Sequence, residues 1–387
     1  MKRIKKPFLW LLLAVLAAAT SSCRDAEGDY NSGIAKEKKG DLDGAIIDFN
    51  KAIELQPNYV KAILARAVAK RAHGDVEGAI SDCDQAIALK SDYGEAYLER
   101  GIAKEGKGDW EAAMEDYNKA ETLIRIPEQA TVYFDRGLLK ARQRDLDGAI
   151  ADYSAAIAMR PSYDSAYYAR GVAKSRQGRY EAAIGDFTRS IELRWNFTNA
   201  YAARGFAEER RGKLDAAIAD CTVSIQLKDH SPSTYYWRGV AREWKGDWDG
   251  GIADFNQVIE LQPGNAFAFN NRGWCEFLKN DFDDAIKDAT RAIEIDPKDG
   301  HAYGTRGWAR FSAGDMAGAR EDCQKAVELN GTNVIAVATD QGMLDFMDGD
   351  YEKAIDSWQT ATRRDVYLQR QLQPWIEKAK VKQNPNN

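Results

Sequence analysis

The sequence predicts an all-α solenoid of about ten tandem helix–turn–helix units closed by a C-terminal capping helix. Three observations carry that prediction. An Arg-Gly pair recurs at Arg100-Gly101, Arg136-Gly137, Arg170-Gly171, Arg204-Gly205, Arg238-Gly239, Arg272-Gly273 and Arg306-Gly307, with spacings of 36 and then 34 five times. A Gly-Asp turn recurs between these pairs, as in Gly40-Asp41, Gly74-Asp75, Gly108-Asp109, Gly246-Asp247, Gly314-Asp315 and Gly349-Asp350. Apolar residues fall at helical spacing after each turn, for example Leu146, Ala149, Ile150, Tyr153, Ala156 and Ile157. Fixed periodicity of this length means stacked supersecondary units, so the 387 residues do not translate into a count of globular domains.

The chain opens on an address. Lys2, Arg3, Lys5 and Lys6 form a positive region, and Phe8 to Ala19 is an uncharged apolar run of twelve residues, too short to span a bilayer comfortably. It ends at Thr20-Ser21-Ser22-Cys23. Small residues directly before a cysteine resemble the lipobox of bacterial lipoproteins, although Thr20 stands where that pattern has an apolar residue. The resemblance implies a signal peptide over residues 1–22, acylation at Cys23, a short linker at 23–25 and a chain tethered in the cell envelope, facing the periplasm. Ordinary cleavage near Ala17-Ala18-Ala19 or Ala19-Thr20-Ser21 is the alternative and releases a soluble periplasmic or secreted protein.

The array occupies residues 26–368, with units starting at 26, 60, 94, 130, 164, 198, 232, 266, 300 and 335. Each unit reads as a first helix over positions 2 to 14, a Gly-Asp turn, and a second helix. The Gly suits a helix C-terminus and the Asp an N-cap. Pro57, Pro161, Pro263 and Pro297 punctuate the passage to the next unit. A Gly inside a helix costs about 1 kcal/mol relative to Ala. Nine units nevertheless keep it at position 8, so the second helix is expected to cross there with no room for a side chain. Position 7 is Arg in eight units and position 23 is Asp in nine. Those positions lie level in an antiparallel hairpin, which predicts a repeated, partly buried Arg–Asp pair.

This pattern resembles the tetratricopeptide repeat. In the fourth unit the family's slots hold Tyr133, Arg136-Gly137, Ala149, Tyr153, Ala156 and Pro161, and in the fifth Tyr167, Arg170-Gly171, Ala183, Phe187 and Ser190. Arg before the Gly replaces the usual Leu. The resemblance implies a right-handed superhelix whose concave groove is lined by first-helix positions 2, 5, 9, 12 and 13. Those positions here form two zones. Arg142, Arg176 and Arg210 stand in a row beside Phe134, Tyr168 and Phe206; then follow Tyr236, Trp244, Phe267, Trp274, Phe277, Trp308 and Phe311. The carboxylate-clamp form of the groove needs Lys, Asn and Arg together, and they are too sparse here.

Catalytic and cofactor chemistry finds no motif. Gly101 to Gly108 approaches a phosphate-binding loop but has Gly108 where a Ser or Thr belongs, and it sits at a helix end. Asp41-Leu42-Asp43-Gly44 and its counterparts lack the spacing and closing Glu of a calcium loop. The three histidines, His73, His230 and His301, fall in distant units and support neither a zinc site nor a triad. Cys83, Cys221 and Cys323 replace an aromatic at position 24 and Cys275 lies in a first helix, so all four read as core residues without a disulfide. Beyond residue 22 the chain carries 50 basic against 60 acidic residues, which excludes the basic surface a nucleic-acid binder needs. Gln369 to Lys382 is expected to cap the last unit with Leu372, Trp375 and Ile376 inward, with a tail to Asn387.

The function these readings imply is a non-enzymatic scaffold of the cell envelope. It would hold a protein partner in its groove and meet the membrane only through its lipid anchor. The other reading is an accessory arm that recognises a glycan or modified peptide through its Trp residues.

Overall fold

The computed structural model describes residues 25–126, 128–365 and 367–384. The expected signal peptide over residues 1–22 and Cys23 lie outside them. The described residues form 21 helices and no strand. The chain divides into two compact units, Met1–Gln177 and Gly178–Asn387. The described part of the first runs through nine helices from Ala26–Glu37 to Asp164–Arg176. The second runs through twelve, from Tyr180–Leu193 to Leu368–Gln383.

Local chemistry sets each hairpin. Gly74, Gly108, Gly246 and Gly314 close first helices at φ of 95°, 90°, 89° and 92°, a left-handed conformation that costs glycine nothing. In most repeats that have it, the aspartate that follows caps the second helix, Asp75 and Asp145 each accepting a bond from the amide three residues on at 2.9 Å, whereas Asp109, Asp281 and Asp350 accept none. Arg144 and Asn280 take the left-handed position at φ of 66° and 67° where the repeat has no glycine. Such residues lose part of that stabilisation.

The position-8 glycine makes room for the residue at position 24. A Cβ on Gly137 would stand 2.7 Å from the Tyr153 ring, and one on Gly205 would stand 2.7 Å from Cys221 Sγ. Here the partner is the ring or thiol at position 24, with the small alanines completing the crossing. Tyr117, Tyr153, Phe187, Phe255, Cys83, Cys221 and Cys323 are accordingly buried, Cys275 is buried within a first helix, and all four thiols are free.

The arginine at position 7 does more than the sequence predicts. Its Nε and Nη2 donate bidentately to the position-23 aspartate: Arg66 to Asp82 at 2.8 and 2.7 Å, Arg136 to Asp152 at 2.9 and 2.8 Å, Arg306 to Asp322 at 2.8 and 2.7 Å. The remaining Nη1 crosses to the second helix of the preceding repeat. Arg66 reaches Asn50 at 2.8 Å, Arg136 Asn118 at 2.8 Å, Arg170 Ser154 at 3.0 Å and Arg204 Thr188 at 3.0 Å. From Arg100 to Arg306 each guanidinium also lies over the aromatic ring three residues earlier, such as Tyr133 under Arg136 at 5.2 Å; Arg66 has Ile63 there. One side chain thus ties its own hairpin and the one before it, using all faces of a planar fork that lysine lacks.

A second cation, one turn on at position 11, usually completes the aspartate's shell: Lys104 to Asp116 at 2.8 Å and Lys140 to Asp152 at 2.8 Å. Units six and eight break this rule with Glu208 and Glu276. Each has an oxygen buried without a partner, and burial beside Asp220 or Asp288 pushes each carboxyl well above its ordinary pKa.

Candidate functional site

First helices of successive repeats pack on one another within each unit, and in the second unit positions 2, 5, 9, 12 and 13 share one face, as His301, Asn270, Trp274, Glu243 and Trp244 show. In the second unit that face is occupied by the chain's own terminal helix, Leu368–Gln383. The Tyr367 ring meets Trp244 edge-on at 4.8 Å. Arg370 donates to the Lys245 carbonyl. Trp375 then enters an aromatic cluster, 5.3 Å from Trp308, 5.8 Å from Phe311, 6.0 Å from Phe346 and 6.4 Å from Trp358. Leu372, Ile376 and Ala379 are buried beneath the same helix. Pro374 sits inside it without ending it. Proline's missing amide is tolerated in a first helical turn but its ring crowds an interior one. Pro374 follows six helical residues, so the tertiary contacts outweigh that cost.

The sequence-predicted groove residues therefore separate into three groups. Trp308 is 1% exposed and Phe277 6% exposed, so neither is an open anchor. Their rings, with Trp274 stacked on Phe277 at 5.0 Å, belong to the core that the terminal helix seals. That corrects the reading of these two as partner-facing, and the cause is a covering segment without any repeat periodicity. Trp244 and Phe311 lie partly buried against the same helix. Phe134 packs on Tyr153 and Tyr163, Phe206 on Tyr180 and Trp237, and Tyr236 on Phe255. Phe267 stays open at 59% exposure. Tyr168 is half-buried, whereas Arg142, Arg176 and Arg210 are exposed, and Arg142 pairs with Glu105 at 3.1 Å.

Between the start of the terminal helix and the first-helix face lies a cavity of about 330 Å³. Trp244 and Trp274 contribute its indole walls, and Glu243, Asn270, Thr305 and Asp340 its polar ones. Thr305 donates to Asn270 Oδ1 at 2.8 Å, which fixes the amide. Trp308 Nε1 and Asn330 Nδ2 donate to Asp340 at 3.3 and 3.4 Å. Burial nevertheless pushes the Asp340 carboxyl up to about 7. Glu243 is 8% exposed and has no side-chain hydrogen-bond partner among the described residues. Burial, with Glu209 adding like charge, pushes its carboxyl up to about 8. Sequence reasoning passed over these polar residues, although Glu243 is at position 12 and Asn270 at position 5, both groove positions. Their signal is an acid and an amide in single groove slots, which neither the aromatic and arginine rows nor the carboxylate-clamp pattern brings out.

Family profiles of the tetratricopeptide repeat match residues 30–59, 64–129, 134–196, 233–265, 266–299 and 300–333, about two thirds of the chain. The chain belongs to the tetratricopeptide repeat family, whose arrays present surfaces to protein partners. Among solved structures, a tetratricopeptide repeat protein from Parabacteroides merdae ATCC 43184 is similar over 63% of this chain and 95% of its own. Its identity is 18% and its TM-score 0.50. MamA is 28% identical over 42% of this chain and 93% of its own, with a TM-score of 0.37. Yeast Tom70 is 16% identical over 92% of this chain and 96% of its own, with a TM-score of 0.39. The likeness to the Parabacteroides protein is one of fold. No curated protein matches the chain.

Proposed function

We propose that this protein is a non-enzymatic interaction scaffold of the cell envelope, tethered through Cys23 and holding a protein partner on its first-helix face. The observation that carries the proposal is the seated terminal helix. An amphipathic helix with Trp375 as its anchor already lies on that face in the second unit, which is the helix-in-groove mode of recognition. A partner segment with similar apolar or aromatic anchors, but with some acidic residues where this helix is basic, uses the part of the face that remains open. Phe206 and Phe267 supply area there in the second unit, and the exposed Arg210 of the same unit steers association more than it holds.

Photocrosslinking in the native host tests the surface. A crosslinker at Phe206 or Phe267 is expected to trap a discrete protein, and one at the second-helix residues Arg189 or Arg291 is not. Trapping only from Arg189 and Arg291 overturns the choice of face. Truncating an interface anchor typically costs about 2 kcal/mol, roughly thirtyfold in affinity. That is the loss expected for Phe267→Ala against the trapped partner. Labelling with a fatty-acid analogue tests the tether: the label should be lost in Cys23→Ser, and equal labelling of both chains removes the lipid anchor from the proposal.

A further inference from the structure

The cavity beside Trp244 has an electrostatic imbalance that the scaffold reading does not use. Glu243 and Asp340 face it from the seventh and tenth repeats, and Asp365, just before the terminal helix, adds a third carboxylate. Lysine and arginine are absent from its lining among the described residues, leaving His301 as the one basic side chain there. The position-23 aspartates of this protein are matched by cations: Asp82 has Arg66 and Lys70, Asp152 has Arg136 and Lys140, and Asp322 has Arg306 and Arg310. Glu243 has no such cation and is more than nine-tenths buried, with no hydrogen-bond donor supplied by the described residues; unlike Glu208 and Glu276, it lines this cavity. A carboxyl taken out of water and left without a partner is held in its neutral form, because its charge has nothing to compensate it. A ligand that brings a positive charge lets it ionise and pair.

Two features narrow the class of ligand. No group of three His, Cys, Asp or Glu side chains among the described residues has the spacing to hold a metal ion, so the acids are too dispersed to chelate. A volume of about 330 Å³ walled by Trp244 and Trp274 is instead the size and character of an organic group, and indoles attract desolvated cations.

We propose that this cavity binds an organic cation, an ammonium or guanidinium group, between Glu243 and Asp340 and beside the indoles of Trp244 and Trp274. Asn270, held by Thr305, supplies a fixed amide that orients the bound group. A neutral sugar could stack on the same indoles, but it leaves both carboxylates uncompensated. The cation is either a free amine or the Lys or Arg side chain of a peptide. This proposal does not depend on the scaffold reading, whose crosslinking sites lie outside the cavity.

Calorimetric titration of the full chain tests it. Agmatine and cadaverine are the free-cation probes, and an Ala-Arg-Ala peptide is the peptide-borne probe. Its citrulline counterpart and N-acetylglucosamine are the uncharged controls. Binding of agmatine or cadaverine identifies a free amine as the source, and binding of the peptide alone identifies a side chain. In either case Glu243→Gln should weaken binding about thirtyfold while keeping wild-type helicity, and Asp340→Asn should weaken it in the same direction. The proposal is overturned if no cationic probe binds or if the citrulline peptide or the sugar binds as tightly as the cations. It is equally overturned if Glu243→Gln and Asp340→Asn, both folded, bind like wild type.

Discussion

The indole of Trp375 stands perpendicular to that of Trp308, with ring centroids 5.3 Å apart at 88°. One belongs to the terminal helix and the other to the ninth repeat, 67 residues earlier. Edge-to-face pairs of this kind contribute about 0.5–1.5 kcal/mol beyond the area they bury, and Trp375 makes such contacts with Phe311 and Phe346 as well. The helix is thus part of the core of the second unit.

Trp375→Ala should therefore destabilise the second unit by about 3 kcal/mol, as removal of a large aromatic from a packed cluster does. Urea unfolding followed by Trp fluorescence, with proteolysis of the terminal helix as a second readout, measures this. An unchanged midpoint means that the helix merely rests on the face.

Arg136→Ala should be among the costliest single changes in the first unit, about 3 kcal/mol, because Asp152 is left buried with only Lys140. Arg136→Lys should recover little, since an ammonium cannot reach Asp152 and Asn118 together. The exposed Arg142→Ala, whose partner is Glu105, should cost under about 1 kcal/mol. Equilibrium denaturation of the three variants gives the order.

The Arg–Asp half of this arrangement was legible because positions 7 and 23 keep one identity through most repeats. The other half was hidden in plain sequence. Position 25 reads Asn50, Asp84, Asn118, Ser154, Thr188, Thr222, Asn256 and Thr290. Four residue types share nothing but an acceptor oxygen, so a search for identity passes over them. The seat of the terminal helix had no such trace. A segment that occurs once has no period, and its destination depends on which face of the array is apolar enough to receive it. Trp308 and Phe277 were read as open for the same reason.

Glu276→Lys should stabilise the second unit by about 1.5 kcal/mol, the worth of a hydrogen bond to a charged group. It restores the cation that other repeats place beside the aspartate, here Asp288. Glu208→Lys should act in the same sense beside Asp220. Thermal melts at pH 7 check both, and a fall in melting temperature for both would falsify the account of these two positions.

Stability of the second unit should decline with rising pH. A carboxyl whose folded pKa is raised binds more protons folded than unfolded, so its stabilising contribution is fully present below the unfolded value and is lost as pH rises through the folded one. For Glu243 that window runs from about 4.5 to about 8. Glu243→Gln should flatten this part of the profile and be more stable than wild type at pH 8. Unfolding free energies measured across the window test it, and parallel profiles would exclude Glu243 as a source of the slope.

The third bond of each position-7 arginine has a consequence for how such a chain changes length. The donor sits early in one repeat and its acceptor late in the repeat before, as Arg66 with Asn50 and Arg238 with Thr222 show. Any in-frame duplication of one period therefore inherits a plug at its front and a socket at its back. Its new neighbours already carry the complementary halves. Recombination inside either unit can add or excise a repeat without orphaning a charge, so the bond that joins neighbours also makes them interchangeable.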